Sequence, residues 1–322
     1  MLRDYLKNNR REVLAIAFFL LAFVAYLSTH PRGVSTYVLT IWANQATVLA
    51  LVAMAQFFAV VVRGLDLSVG AVMALSNTLA SHVVTGSGGE VAGGSILVLA
   101  VATGCGLING AIIVYGRIQP IVATLATGSV FTGIALLLRP TPGGDIDATL
   151  ADAMTYDVAG VPTALILLGG ILLAIHIPFR RTGLGVAMYA IGSNEAGAVQ
   201  SGVRVDATRL TAYAAAGLFA GLAGSFVGYV TFSGDANIGP SYTLNSLAAV
   251  VLGGVLLRGG AGTLLGAVVG AFILRTISAL MFFSGLPPLA QPFFEGLILA
   301  IAIALGGADV FRLRNKLEVL ER

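Results

Sequence analysis

Along the chain, apolar residues do not alternate with polar ones on the period of a half-buried strand. They run nearly unbroken for stretches of roughly 20 residues, separated by short segments in which Arg, Asp, Gly and Pro collect. Such stretches lie near 13–29, 39–62, 67–84, 93–114, 119–138, 162–179, 208–231, 243–258, 262–283 and 288–305. At 1.5 Å per residue, about 20 helical residues cross a hydrocarbon core of about 30 Å. In lipid a spanning segment must satisfy its own backbone polar groups, which a helix does. The pattern therefore predicts an all-α, polytopic membrane protein with about ten transmembrane helices, forming a single transmembrane domain over 1–322. The separators at 62–67 and 258–262 are short enough to place the count anywhere from nine to eleven.

Composition agrees: 57% of residues are hydrophobic and 10% charged, against roughly 25% charged in an ordinary soluble domain. Arg3, Lys7, Arg10 and Arg11 precede the first run as in a signal peptide, but "YLSTHPRG" offers no small-x-small cleavage pattern, so an uncleaved first helix is expected. The single cysteine, Cys105, excludes an intramolecular disulfide framework. With ten spans and a cytoplasmic N-terminus, of the 18 Lys and Arg only Arg32 and Arg139 fall in outer loops and Arg275 within a span. The positive-inside rule then puts both termini in the cytoplasm. Outer loops carry the acids, with Asp145, Asp147, Asp152 and Asp157 in a long loop over 139–161. The net charge of +3 is thus a matter of topology, and no nucleic-acid partner is expected.

Several chemistries are excluded. Lys7 and Lys316, the two lysines, have no G-x-x-x-x-G-K-[ST] context, so the chain has no P-loop and no ATP site of that kind. His30, His82 and His176 are isolated, which leaves no metal site. The serines lack the strand-turn-helix setting and partners of nucleophilic catalysis, so no enzyme activity is expected. Asp66, in "VVRGLDLSVG", can cap the N–H groups of Ser68 or Val69, with Arg63 as a possible partner. The alternative for Arg63, Asp66 and Ser68 is a role in gating or in contact with a cytoplasmic partner. Gly217-x-x-x-Gly221, Gly224-x-x-x-Gly228 and Gly262-x-x-x-Gly266-x-x-x-Gly270 form small-residue faces for internal packing or a dimer seam. The hairpins "RGLDLSVGAVMA" and "RGGAGTLLGAVVGA" resemble each other loosely, pointing to an internal repeat.

Polar side chains within spans, Asn44, Gln45, Gln56, Ser76, Asn77, Asn109, Thr124 and Thr127, should face the bundle interior or a wet pathway, where amides and hydroxyls suit an uncharged, hydroxylated solute. Arg275 lies ~20 Å up the ninth span and Glu295 ~10 Å down the tenth, so their depths coincide and an ion pair is expected. One segment is unlike its surroundings: the small, polar stretch "YAIGSNEAGAVQSGV" within the inside loop 180–207. Asn194 is a good N-cap and Gly202 a good C-terminal stop, which predicts a two-turn helix over 195–201. A helix so short, with little side-chain bulk, must dock against something else.

Four ordered stretches, "GLDLSVG" (Gly64–Gly70), "GLINGAIIVYGRIQPIVATLATG" (Gly106–Gly128), "GVAMYAIGSNEAGAVQSGVRV" (Gly185–Val205) and "LNSLAAVVLGGVLLRGGAGTLLGAVVGA" (Leu244–Ala271), resemble motifs of the inner-membrane permeases of ribose-type sugar ABC importers. The superfamily is shared with branched-chain amino-acid and nucleoside permeases. The resemblance implies that the loop carries the coupling helix, which sits in a groove of a cytoplasmic ABC ATPase. The positions carried over are Gly185, Ala190, Gly192, Asn194, Ser201 and Gly202, with Glu195 in the same helix. Val186 stands where the family often has Arg, and Gly197 where Ala is common. Also implied are a second permease subunit, identical or different, a periplasmic sugar-binding protein on the outer loops, and ATP with Mg on the partner and no cofactor on this chain. The expected function is import of a monosaccharide across the bacterial inner membrane. The alternatives are a permease for branched-chain amino acids or nucleosides, a secondary transporter using in-membrane charges, and a membrane scaffold without transport.

Overall fold

The computed structural model describes residues 10–287 together with 290, 293, 294, 296, 297 and 300. Its helices are α1 (Arg10–Thr29), α2 (Thr36–Val61), α3 (Val69–Val83), α4 (Gly88–Val114), α5 (Pro120–Leu138) and α6 (Ala148–Thr155), then α7 (Thr163–Arg181), α8 (Gly183–Ser193), α9 (Glu195–Gln200), α10 (Val205–Thr231), α11 (Gly239–Leu252) and α12 (Leu264–Phe283). Between α6 and α7 a minimal hairpin pairs β1 (Asp157–Val158) with β2 (Val161–Pro162) in antiparallel register. Its two-residue turn places Ala159 and Gly160 at positive φ, as a type I′ turn requires.

Local sequence sets where the helices begin. Ser35 accepts the Val38 N–H at the start of α2, Ser87 and Glu90 form a capping box on α4, Pro120 occupies the first turn of α5, and Thr263 caps α12 through the Gly266 N–H. Among the described residues, seven helices are long and apolar enough to cross a membrane: α1 from Glu12, α2, α4, α5, α7, α10 and α12. The chain is therefore a multi-pass membrane protein. The runs 67–84 and 243–258 form α3 and α11, of 15 and 14 residues, about 21–23 Å long and short of a full crossing by themselves. Irregular backbone over 62–68 and 253–263 makes up the rest. Positive φ at Arg63, Gly254, Gly259, Gly260 and Gly262 breaks the helical path there. The tenth run, 288–305, falls largely outside the described residues.

Burial sorts the helices into layers. α2 is buried along most of its length and packs against α10 and α12 at the centre. α1, α4, α5 and α7 expose rows of large apolar side chains such as Leu21, Ile108, Leu137 and Leu173, the outer surface expected of helices facing lipid. The glycine faces serve internal packing. Gly217 lies against Ala102 and Gly106 of α4, Gly224 against Met73 of α3, and Gly266 and Gly270 against Ala249 of α11 and Gly253 just after it, where an added Cβ would collide with backbone.

The connections gather at two ends. At one, the turns 62–68, 115–119 and 253–263 meet the segment 182–204. At the other, Gly143 and Gly234 exchange backbone hydrogen bonds, the Asp147 N–H donates to the Val84 carbonyl, and Asn77 accepts from the Asp235 N–H and donates to the Ser233 carbonyl. The first end carries Arg63, Arg117, Arg180, Arg181, Arg204, Arg209 and Arg258, and is called the basic end below.

Candidate functional site

The site at the basic end is built on α8, a helix not anticipated from the sequence, and on α9 that follows it. Thr182 caps α8 by accepting the Gly185 N–H. Gly185 lets the helix turn back onto the Phe179 carbonyl, where a side chain would collide. The ring of Phe179 joins Phe57, Phe58 and Tyr189 in an aromatic cluster that ties α7 and α8 to α2. The C-terminus of α8 is then wedged between the two irregular turns. The Arg63 guanidinium donates to the Gly192 and Ser193 carbonyls at 2.8 and 2.9 Å, satisfying helix-end acceptors. Gly260 N–H donates to Val61 O, and the Ser193 hydroxyl donates to Gly260 O. Burial pushes the Tyr189 phenol up to about 12, so it stays protonated and donates to the Gly262 carbonyl at 2.8 Å. Gly192 sits where a Cβ would collide with the Val61 carbonyl and Gly260. The two turns that looked like repeats in sequence thus flank the same helix end.

At Asn194 the chain leaves α8 in extended conformation, its N–H still donating to the Ala190 carbonyl. The Asn194 side chain accepts the Gly197 N–H at 3.2 Å and opens α9. Ser201 is the C-cap, and Gly202 follows at φ 78°. Its N–H donates to Val199 O and that of Val203 to Ala198 O, the two bonds of a Schellman motif. Ala198 is 4% exposed and faces the body of the protein, while Val199 is 58% exposed. Glu195 accepts a bidentate pair of bonds from Arg209 of α10 at 2.9 and 2.6 Å, fixing α9 to the first turns of a long central helix. α9 is a short knob with Ala196, Val199 and Gln200 outward, rigidly attached below.

Behind this knob lies a buried polar chain. Asp66, 2% exposed, accepts the Ser68 N–H at 2.9 Å and its hydroxyl at 2.6 Å. Burial raises its carboxyl above the usual range, with the Ser68 bonds opposing. The Ser68 hydroxyl accepts from Asn109 at 2.7 Å, whose Oδ1 accepts from Thr127 at 2.6 Å. Thr124 accepts the Leu67 N–H at 3.0 Å and donates to the Pro120 carbonyl. The expected Asp66 cap is present on Ser68. Its expected partner Arg63 is corrected: left-handed backbone at Arg63 (φ 65°) accompanies a side chain bonded to α8 carbonyls.

The other polar positions separate. Ser76 donates to the Val72 carbonyl, and Asn77 pins the turn at 233–235. Asn44 donates to the Thr155 carbonyl at 2.9 Å, while its Oδ1, the Thr47 hydroxyl and both amide atoms of fully buried Gln56 find no partner among the described residues. Gln45 lines a cavity of about 460 Å³ with Tyr26, Tyr37, Trp42 and Arg275. Glu295, the expected partner of Arg275, lies outside the described residues. Arg209 and Tyr213 join the site without having been anticipated; a partner across the Gly202 turn leaves no periodic signal in sequence.

The sequence matches the family described as branched-chain amino acid transport system / permease component over residues 38–303. It is similar to the ribose import permease protein RbsC of Bacillus subtilis, 33% identical over 268 residues that cover 81% of this chain and 82% of that protein. The autoinducer 2 import system permease protein LsrC of Yersinia enterocolitica is 30% identical over 316 residues, 94% of this chain and 84% of that protein. LsrC of Yersinia pseudotuberculosis is 31% identical, over 94% of this chain and 86% of that protein. No solved structure matches the chain. The matched region takes in α2 to α12, and with them both turns, the Asp66 chain and α9, so the chain belongs to the family of branched-chain amino acid transport system permease components.

Proposed function

We propose that this chain is the transmembrane permease subunit of an ATP-binding-cassette importer of the bacterial inner membrane, with both termini cytoplasmic, and that it translocates a monosaccharide delivered by a periplasmic binding protein. The observation that carries the reading is α9: a capped, rigidly anchored knob of small side chains on the basic end. ATP and Mg belong to a cytoplasmic ATPase seated there, and closure of a pair of ATPases moves α9. The Glu195–Arg209 pair passes that motion to α10, and Arg63 passes it to the turn that holds Asp66. A second permease subunit completes the pathway, and the acidic loop 139–161 receives the binding protein. Asn44, Gln45 and Gln56 on α2 supply the polar wall. Similarity to the ribose and autoinducer 2 import permeases supports a hydroxylated cargo. The family description supports branched-chain amino acids as a second reading.

The test is uptake of labelled ribose and leucine into proteoliposomes holding this chain, its cognate ATPase and its binding protein. ATP-dependent ribose uptake is expected, abolished by Ala198→Trp with membrane insertion intact. Uptake driven by an ion gradient without the ATPase, or parental uptake by Ala198→Trp, contradicts the proposal; ATP-dependent uptake of leucine alone selects the second reading.

A further inference from the structure

Beside α9 the basic end opens into a cavity of about 600 Å³. Its wall brings together Glu195, Arg209 and Tyr213 with Arg63 of the α2–α3 turn and Arg117 and Gln119 of the α4–α5 connection. These elements are far apart in sequence, and each is tied to α9 or to the Asp66 chain. Half of the wall is apolar side chain, including Ile113, Ile118 and Pro120. Three guanidiniums face two carboxylates, Glu195 and Asp206. Arg209 is already neutralised by Glu195, and Arg63 is held by neutral carbonyls. Arg117 makes no hydrogen bond or ion pair among the described residues. At the floor, Tyr213 is 1% exposed and its hydroxyl has no acceptor among the described residues; it reaches that position because Gly64 offers no side chain, and a Cβ there would collide with the phenol oxygen. A buried hydroxyl left unbonded is destabilising, so the floor presents an unused donor.

We propose that this cavity receives an acidic segment of the ATPase partner, so that docking runs in both directions: α9 enters the ATPase, and a carboxylate-bearing segment of the ATPase enters the permease. The proposal rests on the coupling role given to α9 above. Charge complementarity names the chemistry, since the wall keeps a surplus guanidinium and an unused phenol donor, both suited to a carboxylate. The apolar half of the wall favours a peptide over a free anion, which would leave that half wet. A cavity of this order holds several residues where one side chain would fill a corner of it. Continuity with α9 through Glu195 names the partner.

The experiment uses the full permease in proteoliposomes with its cognate ATPase. Arg117→Asn removes the cation while tolerating the left-handed backbone at that position, φ 52°, and Tyr213→Phe removes only the hydroxyl. Arg117→Asn is expected to weaken ATPase binding about tenfold and flatten its salt dependence, Arg117→Lys to keep most of the affinity, and Tyr213→Phe to weaken binding severalfold. A benzoylphenylalanine in place of Ile118 is expected to crosslink to an ATPase peptide containing Asp or Glu. Parental affinity and salt dependence in Arg117→Asn, or a crosslink to a second permease copy or to a peptide without an acid, overturns the proposal. Ala198→Trp separates the two layers. If it uncouples transport while Arg117→Asn changes nothing, only this proposal falls; if it leaves coupling intact, the role of α9 falls and this proposal with it.

Discussion

Gly202→Ala isolates what holds α9 in place. A six-residue helix does not persist alone in water, because nucleation costs more than so few hydrogen bonds return. Three features hold this one: the Asn194 cap, the Schellman turn at Gly202 and the Glu195–Arg209 pair. Nothing lies within 4 Å of a Cβ built on Gly202, so its substitution causes no clash, and only the left-handed backbone at φ 78° opposes it. That conformation costs an L-residue about 1–2 kcal/mol, and losing the Asn194 cap costs about 1 kcal/mol. Gly202→Ala should therefore raise the population in which α9 is undone roughly fivefold to thirtyfold. The assay is hydrogen exchange on a peptide spanning 194–203 in detergent, followed by mass spectrometry. Gly202→Ala should speed exchange by that factor, Asn194→Ala by about fivefold, and Gly202→Asn by less than Gly202→Ala because Asn tolerates this region. Transport should fall in the same order. Equal exchange in Gly202→Ala and the parent would refute the argument, since no other interaction is disturbed by the change.

Gly192→Ala drives a methyl group into the Val61 carbonyl and Gly260, and should cost 1–3 kcal/mol or more by overpacking, read as a lower midpoint in thermal unfolding; an unchanged midpoint means α8 is not wedged there. Asn109→Ala removes the bonds that link Ser68 to Thr127 in a buried site, while Ser68 keeps Asp66 and Thr127 keeps the Ala123 carbonyl, so it should destabilise by only about 1 kcal/mol, with Asn109→Asp failing to rescue because a charge would be buried beside Asp66. In the loop 139–161 Asp147 caps α6 and Asp157 bonds the Gly160 N–H, so Asp145→Asn with Asp152→Asn tests charge without disturbing the loop. Binding-protein-dependent uptake should weaken, most at low salt where screening is least, and an unchanged dependence on binding-protein concentration argues against a docking role. Arg275→Glu and Glu295→Arg should each lower the yield of folded protein, an unpaired charge near mid-membrane costing about 2.5–3.5 kcal/mol; the double swap should restore part of it, and a double variant as poor as both singles together rules out the pair.

The sequence by itself determined the membrane class, because unbroken apolar runs admit few alternatives in lipid, and it determined α9, because Asn194 and Gly202 act on backbone within four residues of themselves. It placed the Asp66 cap on Ser68 or Val69 for the same reason. The shortening of α3 and α11 was not legible: the irregular backbone at 62–68 and 253–263 is bonded by the side chains of Thr124 of α5 and of Tyr189 and Ser193 of α8, and those partners lie 57 to 73 residues away in the chain. Only the tertiary structure decided that Arg63 serves the carbonyls of α8 rather than Asp66. A side chain leaving a left-handed residue takes its direction from the backbone, and its acceptors were brought there by packing between elements distant in sequence. Arg209 and Tyr213 entered the site in the same way, carried by α10 as it packs against α4 and the Gly64 turn.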